Sequence, residues 1–110
     1  MASSESFSLH TLAARVKERA QASPEDSYTR KLIDRGIAHC AKKLGEEAIE
    51  TVLAATTEDK ARLIAETADL LYHLLVVLKA RDVTLAEVEA ELAARTRQSG
   101  FDEKANRKGG

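Results

Sequence analysis

Glu66-Thr67-Ala68-Asp69-Leu70-Leu71-Tyr72-His73-Leu74-Leu75-Val76-Val77-Leu78 is the stretch that decides the fold. From Leu70 to Leu78 it is apolar nearly all round. A helix of that kind must be covered on every side. Thr57 is a candidate N-cap for it, Glu58 and Asp59 suit an N-terminal dipole, and the helical pattern continues to about Arg81. A chain of 110 residues has little material to cover such a helix. A subunit interface is therefore expected.

Working outward, a second long helix is expected from about Ile37 to Ala55. Ile37, Ala41, Leu44, Ala48, Val52 and Ala55 repeat at steps of four and three and make one apolar stripe. Gly45 lies inside it and costs roughly 1 kcal/mol relative to alanine. Close approach of a backbone or a ligand would account for it, and so would chance. A first helix begins after Ser8, a good N-cap, with Leu9, Leu12 and Val16 on one face. Ser23-Pro24-Glu25-Asp26-Ser27 reads as a connector. Tyr28 to Arg35 forms a short helix interrupted at Gly36. Thr84 caps a last helix in which Leu85, Val88 and Leu92 share a face. After Arg97 the pattern fades into a polar, basic tail. There is no strand-like alternation of useful length and no internal repeat. The expectation is a single all-α domain over residues 1–110, four or five helices in an antiparallel bundle completed by dimerisation, with the tail starting at about 98.

Composition narrows the function. Hydrophobic residues at 44% and charged residues at 32% exclude a disordered chain. A formal net charge of −1 gives no overall drive toward nucleic acid or an acidic membrane. No apolar run approaches the roughly 20 residues of a membrane span. Met1-Ala2-Ser3-Ser4-Glu5 lacks the basic and apolar regions of a signal peptide. Cys40 is the single cysteine, so no internal disulfide forms. A cytoplasmic protein with no nucleic-acid or membrane partner is expected.

Two acidic clusters stand out: Glu46, Glu47 and Glu50 on the second long helix, Glu66 and Asp69 on the helix quoted first. At 100° per residue, the first three span about 100° of helix surface. Glu66 and Asp69, three apart, are neighbours on one face. If the two helices pack antiparallel, both clusters point into one cleft. Two carboxylates about 5 Å apart repel by roughly 3 kcal/mol at an effective dielectric of 20. Such a cleft needs protons, lysines or a metal. Hard oxygen donors in this number suit Mg²⁺ or Mn²⁺, which in turn bind polyphosphates.

A plainer reading competes. Charges on a helix are usually a solvated face, and Glu46, Glu47 and Glu50 lie opposite the Ile37–Val52 stripe. Lys43, four residues before Glu47, would give a surface ion pair. Against this, Glu66 and Asp69 border the Leu70–Leu78 segment, where carboxylates are costly unless paired or metal-bound. His73, one turn beyond Asp69, either bonds a carboxylate or phosphate or packs as a buried histidine beside Tyr72. Other chemistries fare worse. There is no Gly-rich phosphate loop. His39 and Cys40 are adjacent, a poor zinc pattern without a second pair. The Glu-x-x-His motif of a di-iron bundle is missing.

The residues resemble a known family. Glu46-Glu47-Ala48-Ile49-Glu50 followed by Glu66-Thr67-Ala68-Asp69 is similar to the E-E-x-x-E … E-x-x-D signature of the all-α, MazG-like nucleoside triphosphate pyrophosphohydrolases. Lys42-Lys43-Leu44-Gly45-Glu46-Glu47-Ala48, Ala68-Asp69-Leu70-Leu71-Tyr72-His73-Leu74-Leu75, Asp26-Ser27-Tyr28-Thr29 and Ser99-Gly100 … Glu103-Lys104 … Arg107-Lys108 closely resemble the phosphoribosyl-ATP pyrophosphatase family. The resemblance covers about residues 8 to 108. It implies a helical, dimeric, Mg²⁺-dependent enzyme that hydrolyses phosphoribosyl-ATP to phosphoribosyl-AMP and pyrophosphate, the second step of histidine biosynthesis. By the same resemblance, Glu47, Glu50, Glu66 and Asp69 are the Mg²⁺ ligands and Glu46 a ligand or base. Lys42 and Lys43 meet phosphate oxygens, and Tyr28, Thr29, Lys104 and Arg107 belong to the substrate shell; His73 is a further substrate-binding candidate from its place one turn beyond Asp69. One cysteine cannot furnish the zinc site of the cyclohydrolase often fused to this activity, so a stand-alone enzyme is expected. Two alternatives remain: a house-cleaning pyrophosphatase acting on other nucleotides, and a non-enzymatic helical dimerisation module with solvated acids.

Overall fold

A computed structural model describes residues 6–57 and 59–97. Five helices follow in order: α1 Leu9–Ala20, α2 Tyr28–Asp34, α3 Ile37–Thr57, α4 Lys60–Ala80 and α5 Leu85–Arg95. No strand occurs among the described residues. The helices start where the sequence offers an acceptor for orphan N–H groups. Ser8 takes the N–H of Thr11, and Ser27 takes that of Arg30. Thr84 and Glu87 close a reciprocal capping box on α5.

The start of α4 differs from expectation. Thr57 is the last residue of α3, and Asp59 is the N-cap, its carboxylate accepting from the Arg62 N–H at 2.9 Å. The carboxylate both caps and complements the helix dipole.

Helix ends are equally local. Gly36, at φ +99°, turns the chain from α2 into α3, a left-handed conformation that glycine adopts without penalty. Asp82, at φ 57°, does the same after α4. There the Val83 N–H reaches the Leu78 carbonyl at 2.9 Å and the Asp82 N–H reaches that of Lys79 at 3.1 Å, a Schellman closure.

α3 and α4 form the backbone of the molecule. Thr51 lies beside Glu66 and Glu47 beside Asp69. As one number falls the other rises, so the pair is antiparallel. α1 and α2 pack on the distal part of α4 and the start of α3. Val16, Leu32, Cys40, Leu75 and Val76 make the buried core there, with Leu12, Ile33, Tyr72 and Leu85 around it. The Cys40 thiol donates to the Leu32 carbonyl, and burial raises its pKa.

The stripe drawn on α3 is not the side that faces α4. Ile37 and Val52 are exposed, as are Ala41 and Ala55. The covered side runs through Cys40, Glu47 and Ala54, about a quarter turn away at 100° per residue. α3 is apolar around most of its circumference, and periodicity cannot say which apolar side a given neighbour takes. Glu47 accordingly does not lie opposite the packed face; it belongs to it. Gly45 has open space where a Cβ would stand, so nothing among the described residues requires a glycine there.

Candidate active site

Two 21-residue helices, the first ending at Thr57 and the second starting at Lys60, hold their facing side chains in register. That register brings Glu47 from α3 to Glu66 and Asp69 from α4. One carboxylate oxygen from each lies within 4.8 Å of the others. Glu66 is at the base of the group, only 7% exposed, while Asp69 is open to solvent and Glu47 half-buried. Arg62, one turn before Glu66 on α4, holds its carboxylate at 2.7 Å.

The electrostatics are those of a site short of positive charge. Burial pushes the Glu47 carboxyl above its ordinary pKa of 4.5, and the charges of Asp69, Glu66 and Glu50 push it the same way. Lys43 opposes them. Its ammonium reaches Glu46 at 3.4 Å, so the ion pair expected with Glu47 is made with Glu46 instead. Glu46 and Glu50 are exposed and stand outside the three-oxygen group. Glu50 is still near enough for its charge to act on Glu47.

Thr51 has a part that the sequence reading missed. Its hydroxyl points at the Glu47 carbonyl at 2.8 Å and at the Glu66 carbonyl at 3.2 Å. It thus ties the two acid-bearing segments together. The signal was a threonine four residues after Glu47, a spacing that allows back-bonding within a helix. Arg62, four before Glu66, was legible on the same grounds.

The remaining candidates are dispersed. Lys42 is exposed and about 140° round the helix from Glu47. His73 is buried, its ring edge-on to Tyr72 at 5.0 Å and 79°. Burial and the charge of Lys43 lower its pKa, against the pull of Asp69 and Glu46. The buried-histidine reading describes this ring. Thr29 is also buried and bonds the Tyr72 hydroxyl at 2.5 Å, which fixes α2 to α4. Tyr28 is exposed beside a basic cleft. Lys104 and Arg107 lie outside the described residues.

Fold and site together define a class: all-α proteins in which carboxylates of two antiparallel helices face each other across the pair. Within that class, the family model described as phosphoribosyl-ATP pyrophosphohydrolase matches residues 9–96. The chain is 62% identical over 102 residues to phosphoribosyl-ATP pyrophosphatase 1 of Bradyrhizobium diazoefficiens, covering 93% of this chain and 96% of that one. The protein of the same name from Rhodopseudomonas palustris is 60% identical, with 93% and 95% covered. Phosphoribosyl-ATP pyrophosphatase of Azorhizobium caulinodans is 65% identical over 92 residues, 84% of each chain. The chain belongs to the phosphoribosyl-ATP pyrophosphohydrolase family.

Proposed function

We propose that this chain hydrolyses phosphoribosyl-ATP to phosphoribosyl-AMP and pyrophosphate, the second step of histidine biosynthesis, at the Glu47–Glu66–Asp69 group. The observation that carries the reading is the convergence of these three carboxylates, one of them buried, in a chain of this family. Three acids so close repel one another, and Arg62 meets Glu66 alone of the three in the ion pair at 2.7 Å, so the group favours a further cation.

The donor set fits Mg²⁺, with Mn²⁺ as a substitute, because all its donors are hard carboxylate oxygens. Glu47, Glu66 and Asp69 would hold the ion, with Glu50 a fourth ligand and Glu46 a ligand or base. When bound, the ion supplies charge neutralisation for the polyphosphate and acidifies a water. The chain's own residues do the rest. Arg62 holds the Glu66 carboxylate in place. Thr51 sets the spacing of the two helices at the acids. Lys43 releases Glu46 and takes a phosphate oxygen as a point charge. Thr29 and His73 act through Tyr72, keeping the α2–α4 wall in place.

The working unit is a cytoplasmic homodimer without nucleic-acid or membrane partners. The Leu70–Leu78 segment, expected from the sequence to need a partner, is largely covered within the chain, with Leu74 alone exposed; Ile49, Val52 and Leu53 on α3 and Ile64 on α4 are instead each about half or more exposed, and a second copy covers them. No described helix is long and apolar enough to cross a membrane.

Hydrolysis of phosphoribosyl-ATP with and without Mg²⁺, beside ordinary nucleoside triphosphates, tests the activity. Pyrophosphate released from phosphoribosyl-ATP alone, and only with the metal, is the expected result. Equal turnover of ordinary triphosphates would defeat it in favour of a house-cleaning role.

A further inference from the structure

One turn along α3 on the N-terminal side of Lys43, the chain opens a second anion-attracting feature. A cleft of about 530 Å³ lies between α2 and the start of α3. Lys31 and Arg35, four apart, line one wall, and His39 and Lys43, also four apart, line the other. Residues four apart share a helix face, so the corner at Gly36 sets one basic pair against the other.

The acid on this cleft is already engaged: Asp34 is held by Arg30 at 3.0 and 3.1 Å. Neither Lys31 nor Arg35 has a carboxylate partner among the described residues. Desolvation and then the charges of Arg35, Lys42 and Lys43 lower the pKa of His39, and Glu46 opposes them.

His39, Lys43 and Glu47 occupy successive turns of one helix, so the His39 end of the cleft is about 12 Å from the acid group along α3, with Lys43 between them. Phosphoribosyl-ATP has a matching layout. A triphosphate leaves one side of its purine and a ribose bearing a 5′-monophosphate leaves the other. The triphosphate belongs at the acid group with its metal. The monophosphate needs cations without a metal, in a fork that guanidinium supplies.

We propose that Arg35 and Lys31, with His39 as a further N–H donor, bind the 5′-phosphate of the phosphoribosyl arm and so select this substrate over nucleotides that lack it. The proposal rests on the activity proposed above and adds the group that recognises the second end.

The test is steady-state kinetics at saturating Mg²⁺ for wild type, Arg35→Gln and the Arg35→Gln/Lys31→Gln double variant, with two inhibitors. Both side chains are exposed, so a thermal melt should match wild type. Losing charge-assisted bonds should raise KM for phosphoribosyl-ATP by about tenfold or more in the double variant, with a smaller change in kcat. Inhibition by ribose 5-phosphate should weaken in parallel, while inhibition by pyrophosphate stays as in wild type. Arg35→Lys should recover part of the affinity. If wild type turns over phosphoribosyl-ATP but KM and ribose 5-phosphate inhibition are unchanged in the variants, the subsite is wrong and the activity stands. Equal weakening of both inhibitors also overturns the subsite, because it signals a general loss of charge. No turnover of phosphoribosyl-ATP by wild type overturns the activity and the subsite with it.

Discussion

The Thr51 hydroxyl on α3 lies 3.2 Å from the backbone carbonyl of Glu66 on α4, while also bonding the Glu47 carbonyl on its own helix at 2.8 Å. One hydroxyl hydrogen is thus shared between the segments that carry two of the three converging acids. Valine has nearly the shape of threonine without the donor. Thr51→Val should lower stability by about 1 kcal/mol, the usual net worth of one such bond. Mg²⁺ affinity, read by calorimetric titration, should fall as well, because the bond sets the spacing of Glu47 and Glu66. Thr51→Ser should keep most of both. Unaltered Mg²⁺ affinity in Thr51→Val would confine the residue to a packing role.

Glu66→Gln removes the buried charge and leaves the volume. Turnover should drop by about 100-fold or more, since metal-borne electrostatic stabilisation is commonly the largest catalytic contribution. Glu50→Gln should also cut turnover by orders of magnitude with the helices still folded. Glu50 is exposed and outside the three-oxygen group, so this variant decides whether it swings in as a fourth ligand. Wild-type turnover in Glu50→Gln would remove it from the site and leave the other three.

The helices were legible because their ends are chemical. Ser8, Gly36 and Thr84 mark boundaries by capping or by positive φ, effects confined to a few residues. That acids of α3 would meet Glu66 and Asp69 was legible as a consequence of antiparallel packing, but spacing did not single out Glu47 from Glu46 and Glu50, which stand outside the group. The side of α3 that meets α4 was not legible. Ile37, Ala41 and Val52 compete with Cys40 and Ala54 for the same neighbour, and only tertiary packing chooses. The cleft of Lys31, Arg35, His39 and Lys43 was hidden for a related reason. Its two basic pairs sit on separate helices, and the corner at Gly36 brings them together.

Stability without metal should depend on pH through Glu47. Its folded-state pKa lies above the ordinary value of 4.5 because of burial and the charges of Asp69, Glu66 and Glu50. A carboxyl raised in this way contributes stability that is fully present below the unfolded-state pKa. That contribution is lost as pH rises through the folded-state value. In chelator, the melting temperature of Glu47→Gln should therefore gain on wild type as pH climbs from the low fours toward neutrality. Added Mg²⁺ should reverse the order. An ion that binds only the folded state stabilises by about 2.7 kcal/mol at 100 times its Kd. The variant, short of a ligand, should gain less. Parallel melting curves across this range, with and without Mg²⁺, would count against a charge-crowded metal site.

Assembly gives the last prediction. Val52 and Leu53 lie three and four residues after Ile49 on α3, and all three are about half or more exposed. Ile64 sits on α4 at the level of Leu53 in the antiparallel register and is 60% exposed. Fully burying side chains of this size gains about 1.5–3 kcal/mol each, so the patch has a strong reason to meet a partner. A two-fold arrangement is the simplest closed solution, because it covers the patch on both copies at once. Wild type should run as a dimer by light scattering at micromolar concentration. Val52→Glu places a charge in the patch without touching Cys40, Glu47 or Ala54 on the α4-facing side. It should shift the protein toward monomer and lower its melting temperature, and the loss should grow as the protein is diluted. A wild-type chain that stays monomeric, or a Val52→Glu chain that stays dimeric, would show that this face is not the interface.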